Sequence, residues 1–233
     1  MRNVKTSNYQ DLIKTFAIIV VIIDHLGVYF FPSFTIFRAI GRSAMPVFCF
    51  FVGYNYTKPK TALVIYGAIL TSMFFVCFVN IHVMNMLITM YICQWYLYVL
   101  DKYGYNDERS IWIQIPLLLL LLRPSEQFFE YGTLATIFVL VGNFSRRNGA
   151  NFSMIMLSLF VYLANNIYLF KFGILDSIVA SIFIIFVLYM LSRDRQLDPI
   201  RWNLRWISRN TLYIYFFDVF LSIIALLVMY SMR

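Results

Sequence analysis

LIKTFAIIVVIIDHLGVYFF, residues 12–31, decides how the rest of the chain is read. Twenty residues rise about 30 Å as an α-helix, the thickness of a bilayer's hydrocarbon core. Lys14 stands near one end of the run and the pair Asp24-His25 near the other. Arg2 and Lys5 precede it, as bases precede a secretory leader. The run is too long for a leader's apolar core and has no small-x-small cleavage site, so it is expected to remain as the first helix.

Working outward, the whole chain has the same character. Hydrophobic residues make up 61% of the 233 and charged residues only 13%, about half the charged share of a soluble domain. Mean hydropathy is +0.75. A soluble chain of this length has too little interior to hide so much apolar surface, so lipid is the expected solvent. No polar linker or repeat divides the sequence, and 1–233 reads as a single domain. Cys49, Cys77 and Cys93 lie in apolar runs without CxxC spacing, which suggests packing in place of a disulfide or metal site. The net charge of +8 is spread over short loops, where it sets topology, and implies no nucleic-acid role.

Apolar segments at 12–31, 43–57, 61–80, 82–100, 111–122, 128–143, 152–170, 174–191 and 207–230 predict an all-α, polytopic transmembrane bundle of about nine helices. The second is short unless it extends back through 36–42, and the fifth and sixth are short enough to form a hairpin of less than full depth. With the N-terminus in the cytoplasm, the loops holding Lys58/Lys60, Lys102/Arg109, Arg146/Arg147 and Arg193/Arg195/Arg201/Arg205 fall inside, with Arg2 and Lys5. Arg38, Arg42, Arg123, Lys171 and Arg233 fall on the other side. That asymmetry agrees with the positive-inside rule.

Ionisable groups within spans are costly, and they mark either function or pairing. Lys14 and His25 are eleven steps apart, which returns to within roughly 20° of the same helix face about 16 Å further on. Asp11, Lys14, Ile18, Val21 and His25 therefore form one stripe, expected to face the bundle interior. Lys14 suits an anionic group or a snorkelling contact with headgroups. His25 at depth suits general-base work. Asp24 points about 100° away from His25 and is expected to pair with Arg38 or Arg42, which lie one helical turn apart. Asn85 and Thr89 share a helix face, as interhelical hydrogen bonding requires. His82 lies in the turn before them. Glu130, ahead of Tyr131-Gly132, is placed favourably for a helix dipole. Asp218 needs a partner, for which Lys14, Arg209 and His25 are candidates.

Several of these segments, taken together, resemble the TraX family of conjugation-associated membrane proteins linked to N-terminal acetylation of pilin. More distantly they are similar to multi-pass membrane acyltransferases that move acetyl groups onto surface sugars. The resemblance is carried by Lys14 with Ile23-Asp24-His25-Leu26-Gly27, and by Phe37-Arg38-Ala39-Ile40-Gly41-Arg42-Ser43-Ala44-Met45-Pro46-Val47-Phe48. Asn85-x-x-x-Thr89, Glu130-Tyr131-Gly132 and Asn210-Thr211-Leu212-Tyr213-Ile214-Tyr215-Phe216-Phe217 follow in the same order, so it runs from about residue 8 to residue 222. Asp218 departs from the pattern, since related proteins often place a histidine near that point.

The resemblance implies a bacterial inner-membrane acetyltransferase. Acetyl-CoA would be the donor and no metal is implied. The acceptor would be a pilin-like membrane peptide or, alternatively, a hydroxyl of an envelope glycan. His25 and Asp24 would be the catalytic groups, with Lys14, Arg38 and Arg42 binding the donor or an anion. Asn85, Thr89, Glu130, Tyr131 and Asp218 would bind substrate or support the site. A non-enzymatic transporter or assembly scaffold is the remaining alternative.

Overall fold

A computed structural model of the chain describes residues 8–31, 33–77, 83–105, 107–149, 152–168 and 203–231, with scattered positions between 174 and 185. Among these residues there are helices and no strands. The helices are α1 (Tyr9–Tyr29), α2 (Thr35–Arg42), α3 (Ala44–Tyr54), α4 (Thr61–Cys77), α5 (Met86–Tyr103), α6 (Glu108–Leu120), α7 (Leu122–Glu126), α8 (Gly132–Asn148), α9 (Phe152–Tyr168), α10 (Arg205–Arg209) and α11 (Thr211–Ser231).

Three of them are long and apolar enough to cross a membrane: Tyr9–Tyr29, the nearly continuous Thr35–Tyr54, and Thr211–Val228. That is fewer than the nine expected from hydropathy. Thr61–Met73 and Phe152–Ile167 are shorter apolar helices. The segment expected at 43–57 does extend backward, because α2 and α3 are parted only by Ser43. The segment at 111–122 becomes α6, whose 13 residues rise about 20 Å and stop short of a full crossing. His82, Lys171, Arg193, Arg195, Arg201 and most of 174–191 lie outside the described residues.

α1 begins three residues before its apolar run because Asn8 and Asp11 form a capping box. Asn8's side chain accepts from the Asp11 N–H at 2.9 Å, and Asp11's carboxylate accepts from the Asn8 N–H at 3.2 Å. Asp11 thus has a structural task at the helix end. The body of α1 is rich in β-branched Ile and Val, weak helix formers in water. In lipid the backbone has nowhere else to satisfy its hydrogen bonds, and the helix follows.

The chain forms two compact units. The first comprises residues up to Phe48 together with Leu163–Ser222. In it α1 packs closely on α2 and also on α10. The close approach is made at two glycines. A Cβ on Gly27 would stand 2.7 Å from the Phe37 Cβ, and one on Gly41 would strike Asp24, with its Cα at 2.6 Å. Small residues of this kind let membrane helices meet backbone to backbone.

The second unit comprises Cys49–Tyr162 and Ile223–Arg233. α8 is its central helix, buried continuously from Leu134 to Phe144, and α5, α6 and α7 pack around it. A helix apolar on all sides belongs in such a place. The same glycine device recurs here, with Gly53 against the Val139 carbonyl and Gly142 against the Phe50 carbonyl. Arg146 seals the crossing by donating to the carbonyls of Tyr54 (3.2 Å) and Tyr56 (3.1 Å), which the end of α3 leaves unpaired.

Candidate functional site

In the first unit, α1 and α11 bring together two residues 193 positions apart. His25 Nδ1 lies 2.5 Å from Asp218 Oδ2, with the side chains 14% and 17% exposed. Of the three partners considered for Asp218, the fold selects His25. With the carboxylate ionised, Nδ1 carries the proton and Nε2 keeps its lone pair. The imidazole also lies between two tyrosines, with ring centroids 6.0 Å from Tyr29 and 5.9 Å from Tyr215.

Asp24, the sequence neighbour of His25, serves a different partner. Its Oδ1 lies 3.3 Å from Arg38 Nε, and the charge of Arg42 acts on the same carboxylate. The Gly41 contact explains this pairing. It presses α2 onto α1 at Asp24 and sets Arg38 and Arg42 on either side of that point. Two arginines thus converge on one carboxylate beside the His25–Asp218 pair, and opposite charges offset one another where hydration is scarce.

The stripe expected along α1 has its apolar members buried, Ile18 at 2% and Val21 at 8% exposure. Asp11, Lys14 and His25 are half-buried along it, while Phe16, Ile19, Leu26 and Phe30 form the exposed face. Lys14 stands three turns from His25 on the same helix.

In the second unit the remaining predicted residues meet where the starts of α5 and α8 come together. Met84 and Phe129 form an isolated parallel bridge, with the Met84 N–H donating to the Phe128 carbonyl and the Glu130 N–H to the Met84 carbonyl. Asn85 caps α5 by accepting from the Leu87 N–H at 3.0 Å, and its own N–H donates to Thr71 Oγ1. The Glu130 carboxylate accepts from the Met86 N–H at 3.1 Å. Glu130 therefore serves the dipole of α5, not that of the helix it precedes in sequence. Thr89 donates to the Glu130 carbonyl at 3.1 Å, a bond from α5 to the turn that leads into α8.

Tyr131 is buried in the left-handed region at φ 64°, and Gly132 follows at φ 45°. Glycine is needed at 132, where a Cβ would strike Ser125 Oγ. Ser125 Oγ accepts from the Thr133 N–H at 2.9 Å and so supplies the cap that Tyr131 cannot. A separate cleft of about 640 Å³ is lined by Asp101, Gly104, Asp107, Glu108, Phe144, Arg147 and Asn148, none of them among the predicted site residues.

Sequence reading passed over Tyr29 and Thr71, and quoted Tyr215 within the 210–217 run without giving it a place at the site. Tyr29 follows His25 by four positions and Tyr215 precedes Asp218 by three, so helical spacing alone would have placed both beside the pair once the pair was known.

An all-helical chain, with helices of membrane-crossing length and a half-buried histidine–aspartate pair beside two arginines, defines a membrane-associated helical protein with an ionisable interior. The chain belongs to the TraX family, whose model, described as TraX protein, matches residues 9–228. It is 38% identical over 225 residues to an uncharacterized protein of Rickettsia prowazekii (strain Madrid E), covering 90% of this chain and 88% of that relative. No solved structure matches it.

Proposed function

We propose that the protein is a membrane-embedded acetyltransferase of a bacterial inner membrane, crossing about nine times with its N-terminus in the cytoplasm. It moves an acetyl group from cytoplasmic acetyl-CoA to an acceptor at the membrane, the N-terminal amine of a pilin-like subunit. The observation that carries this reading is the 2.5 Å contact between His25 Nδ1 and Asp218 Oδ2. A carboxylate on Nδ1 fixes the tautomer that leaves Nε2 basic and stabilises the imidazolium once it forms, the arrangement a general base needs.

In the proposed step the acceptor amine, which has an ordinary pKa near 8 and is partly neutral at physiological pH, attacks the thioester carbonyl. Nε2 takes the proton that the nitrogen loses as the new N–C bond forms. The C–S bond then breaks, and the departing thiolate takes that proton from the imidazolium. Arg38 and Arg42 offer positive charge to the tetrahedral oxyanion or to the donor, with Asp24 holding Arg38 in place. Lys14, about 16 Å away, meets the donor's phosphates. The Asn85–Thr89–Glu130–Tyr131 cluster holds the starts of α5 and α8 in register. A glycan hydroxyl would use the same base and the same order of bond changes.

The test is transfer of labelled acetyl from acetyl-CoA by the purified protein in vesicles, with the acceptor's mass gain read by mass spectrometry. His25→Ala protein that inserts and melts normally is expected to lose transfer. Wild-type rates in that variant refute the site. Wild-type protein that neither binds nor consumes acetyl-CoA favours the transporter or scaffold alternative.

A further inference from the structure

Several buried hydroxyls on the helices are satisfied within their own turn. Thr15 donates to the Asp11 carbonyl at 2.7 Å, Ser158 to that of Met154 at 2.8 Å and Ser181 to that of Ser177 at 2.8 Å. A hydroxyl reaches the carbonyl one turn back and needs no other element. Two asparagines on α9 behave differently. Asn165 is 4% exposed and Asn166 1%. Neither Oδ1 nor Nδ2 of Asn165 has a hydrogen-bond partner among the described residues, and Nδ2 of Asn166 has none either.

A buried amide without partners costs more than an ordinary hydrogen bond returns, and most of all where water is scarce. Such a pair is retained where something fills it. No charged residue occurs in the 17 residues of α9, so nothing on that helix offsets a ligand's charge, and the matching group is neutral. Asn165 and Asn166 belong to the same compact unit as His25, Asp218, Arg38 and Arg42. On the topology proposed above, α1 and α9 both run outward from the cytoplasm. Asn165 lies 13 residues past Phe152, the start of α9 (165 − 152), a rise of about 20 Å. His25 lies about 16 Å of rise past Lys14, so the two stand at similar depth.

A donor of the acetyl-CoA type has phosphates at one end and a thioester at the other. The arm between them is uncharged and carries two secondary amides. With the phosphates at Lys14 and the thioester at His25, those amides pass through apolar surroundings and need partners there. An asparagine side chain complements a secondary amide, since its Nδ2 donates to the carbonyl while its Oδ1 accepts from the N–H. Both atoms of Asn165 are available for this.

We propose that Asn165 and Asn166 form an amide-binding site for the uncharged arm of the thioester donor. Asn165 pairs with the amide nearest the sulfur through one donated and one accepted hydrogen bond, and Asn166 Nδ2 donates to the carbonyl of the second amide. The site rests on the acetyltransferase reading and adds to it a contact that neither Lys14 nor the arginines supply.

The experiment reads binding apart from turnover, by calorimetry on the purified protein in nanodiscs. Three ligands are compared: coenzyme A, an analogue in which the amide nearest the sulfur is replaced by two methylenes, and 3′-phospho-ADP, the charged half alone. The native protein is expected to bind coenzyme A roughly 5- to 150-fold more tightly than the analogue, the worth of two neutral hydrogen bonds. Asn165→Leu is expected to lose that advantage, binding coenzyme A and the analogue alike, with 3′-phospho-ADP unaffected. Without ligand, the same variant is expected to melt at or above the native temperature, because leucine removes an unpartnered amide at similar volume. A variant that melts well below native reveals a structural partner for the amide and overturns the site. Should Asn165→Leu not fold, the native protein still decides, because equal affinity for coenzyme A and the analogue overturns the proposal. Unchanged coenzyme A binding in Asn165→Leu overturns this site alone. Native protein that binds no coenzyme A overturns the acetyltransferase reading, and the site with it.

Discussion

Replacing Gly41 with alanine perturbs the α1–α2 contact on which the Asp24–Arg38 pair depends. The new Cβ would stand 2.6 Å from Asp24 Cα and 2.7 Å from its Cγ, whereas ordinary contact begins at 3.4 Å. Because one of the obstructing atoms is backbone, no rotamer change relieves the clash, and the helices must part by at least about 0.8 Å (3.4 − 2.6). The Arg38 Nε–Asp24 Oδ1 separation, 3.3 Å in the native chain, would then pass about 4 Å, beyond useful ion-pair distance. Overpacking of this kind costs about 1–3 kcal/mol, or roughly 5- to 150-fold in a folding equilibrium. The assay is thermal unfolding in nanodiscs, run alongside acetyl transfer. Gly41→Ala is expected to melt several degrees lower and to transfer more slowly. Gly27→Ala, which meets the Phe37 Cβ at 2.7 Å, should act in the same direction. The double variant should be less than additive, because the first substitution already separates the helices. A Gly41→Ala protein with native melting, in which Arg38→Gln has the same effect as in wild type, would refute the close contact and the pairing argued from it.

Other consequences are equally specific. Asp218→Asn leaves the ring in place but lets the amide donate to Nδ1, which moves the proton to Nε2 and removes the base. Transfer should fall about 10²- to 10⁴-fold in kcat with the KM for acetyl-CoA little changed, and Asp24→Asn should cost less. In the second unit, Asn85→Ala should lower stability by about 0.5–2 kcal/mol through loss of the α5 cap, measured by chemical unfolding in micelles. Glu130→Gln keeps the shape but loses the charge facing the Met86 N–H, and should cost about 0.3–1 kcal/mol, less at high salt. At the start of α6, hydrogen bonds from the Ser110 side chain and backbone N–H hold the Asp107 carboxyl below the usual aspartate range. A depressed pKa contributes stability above the unfolded-state value of 3.8, and that contribution is lost as pH falls below it toward the folded value. The melting temperature of Asp107→Asn should therefore fall less steeply than that of wild type below about pH 4, and parallel curves would contradict this.

The solvent, the helical class and the list of ionisable residues were legible in the sequence, because each depends on local composition and on a helical period of 3.6. Even the pairing of Asp24 with one of the two arginines on α2 was legible, since α1 and α2 are joined by a short turn and must lie side by side. The partner of Asp218 was not. His25 and Asp218 are 193 positions apart, and Lys14 and Arg209 were chemically as suitable. Only the packing of α11 against α1 decides among them. Glu130 shows the same limit. Its place ahead of α8 suggested service to that helix, yet the bridge between Met84 and Phe129 turns its carboxylate toward α5. Hydropathy marked the apolar run at 111–122 but not the break at Leu121, which leaves α6 with 13 residues and short of a full crossing.

The sequence by itself determined that this chain is a membrane-associated helical protein that carries a lysine, a histidine, two arginines and several carboxylates in or beside apolar runs. Tertiary structure alone decided which carboxylate holds the histidine, because a hydrogen bond depends on atoms coming within about 3.2 Å of one another and not on their spacing along the chain.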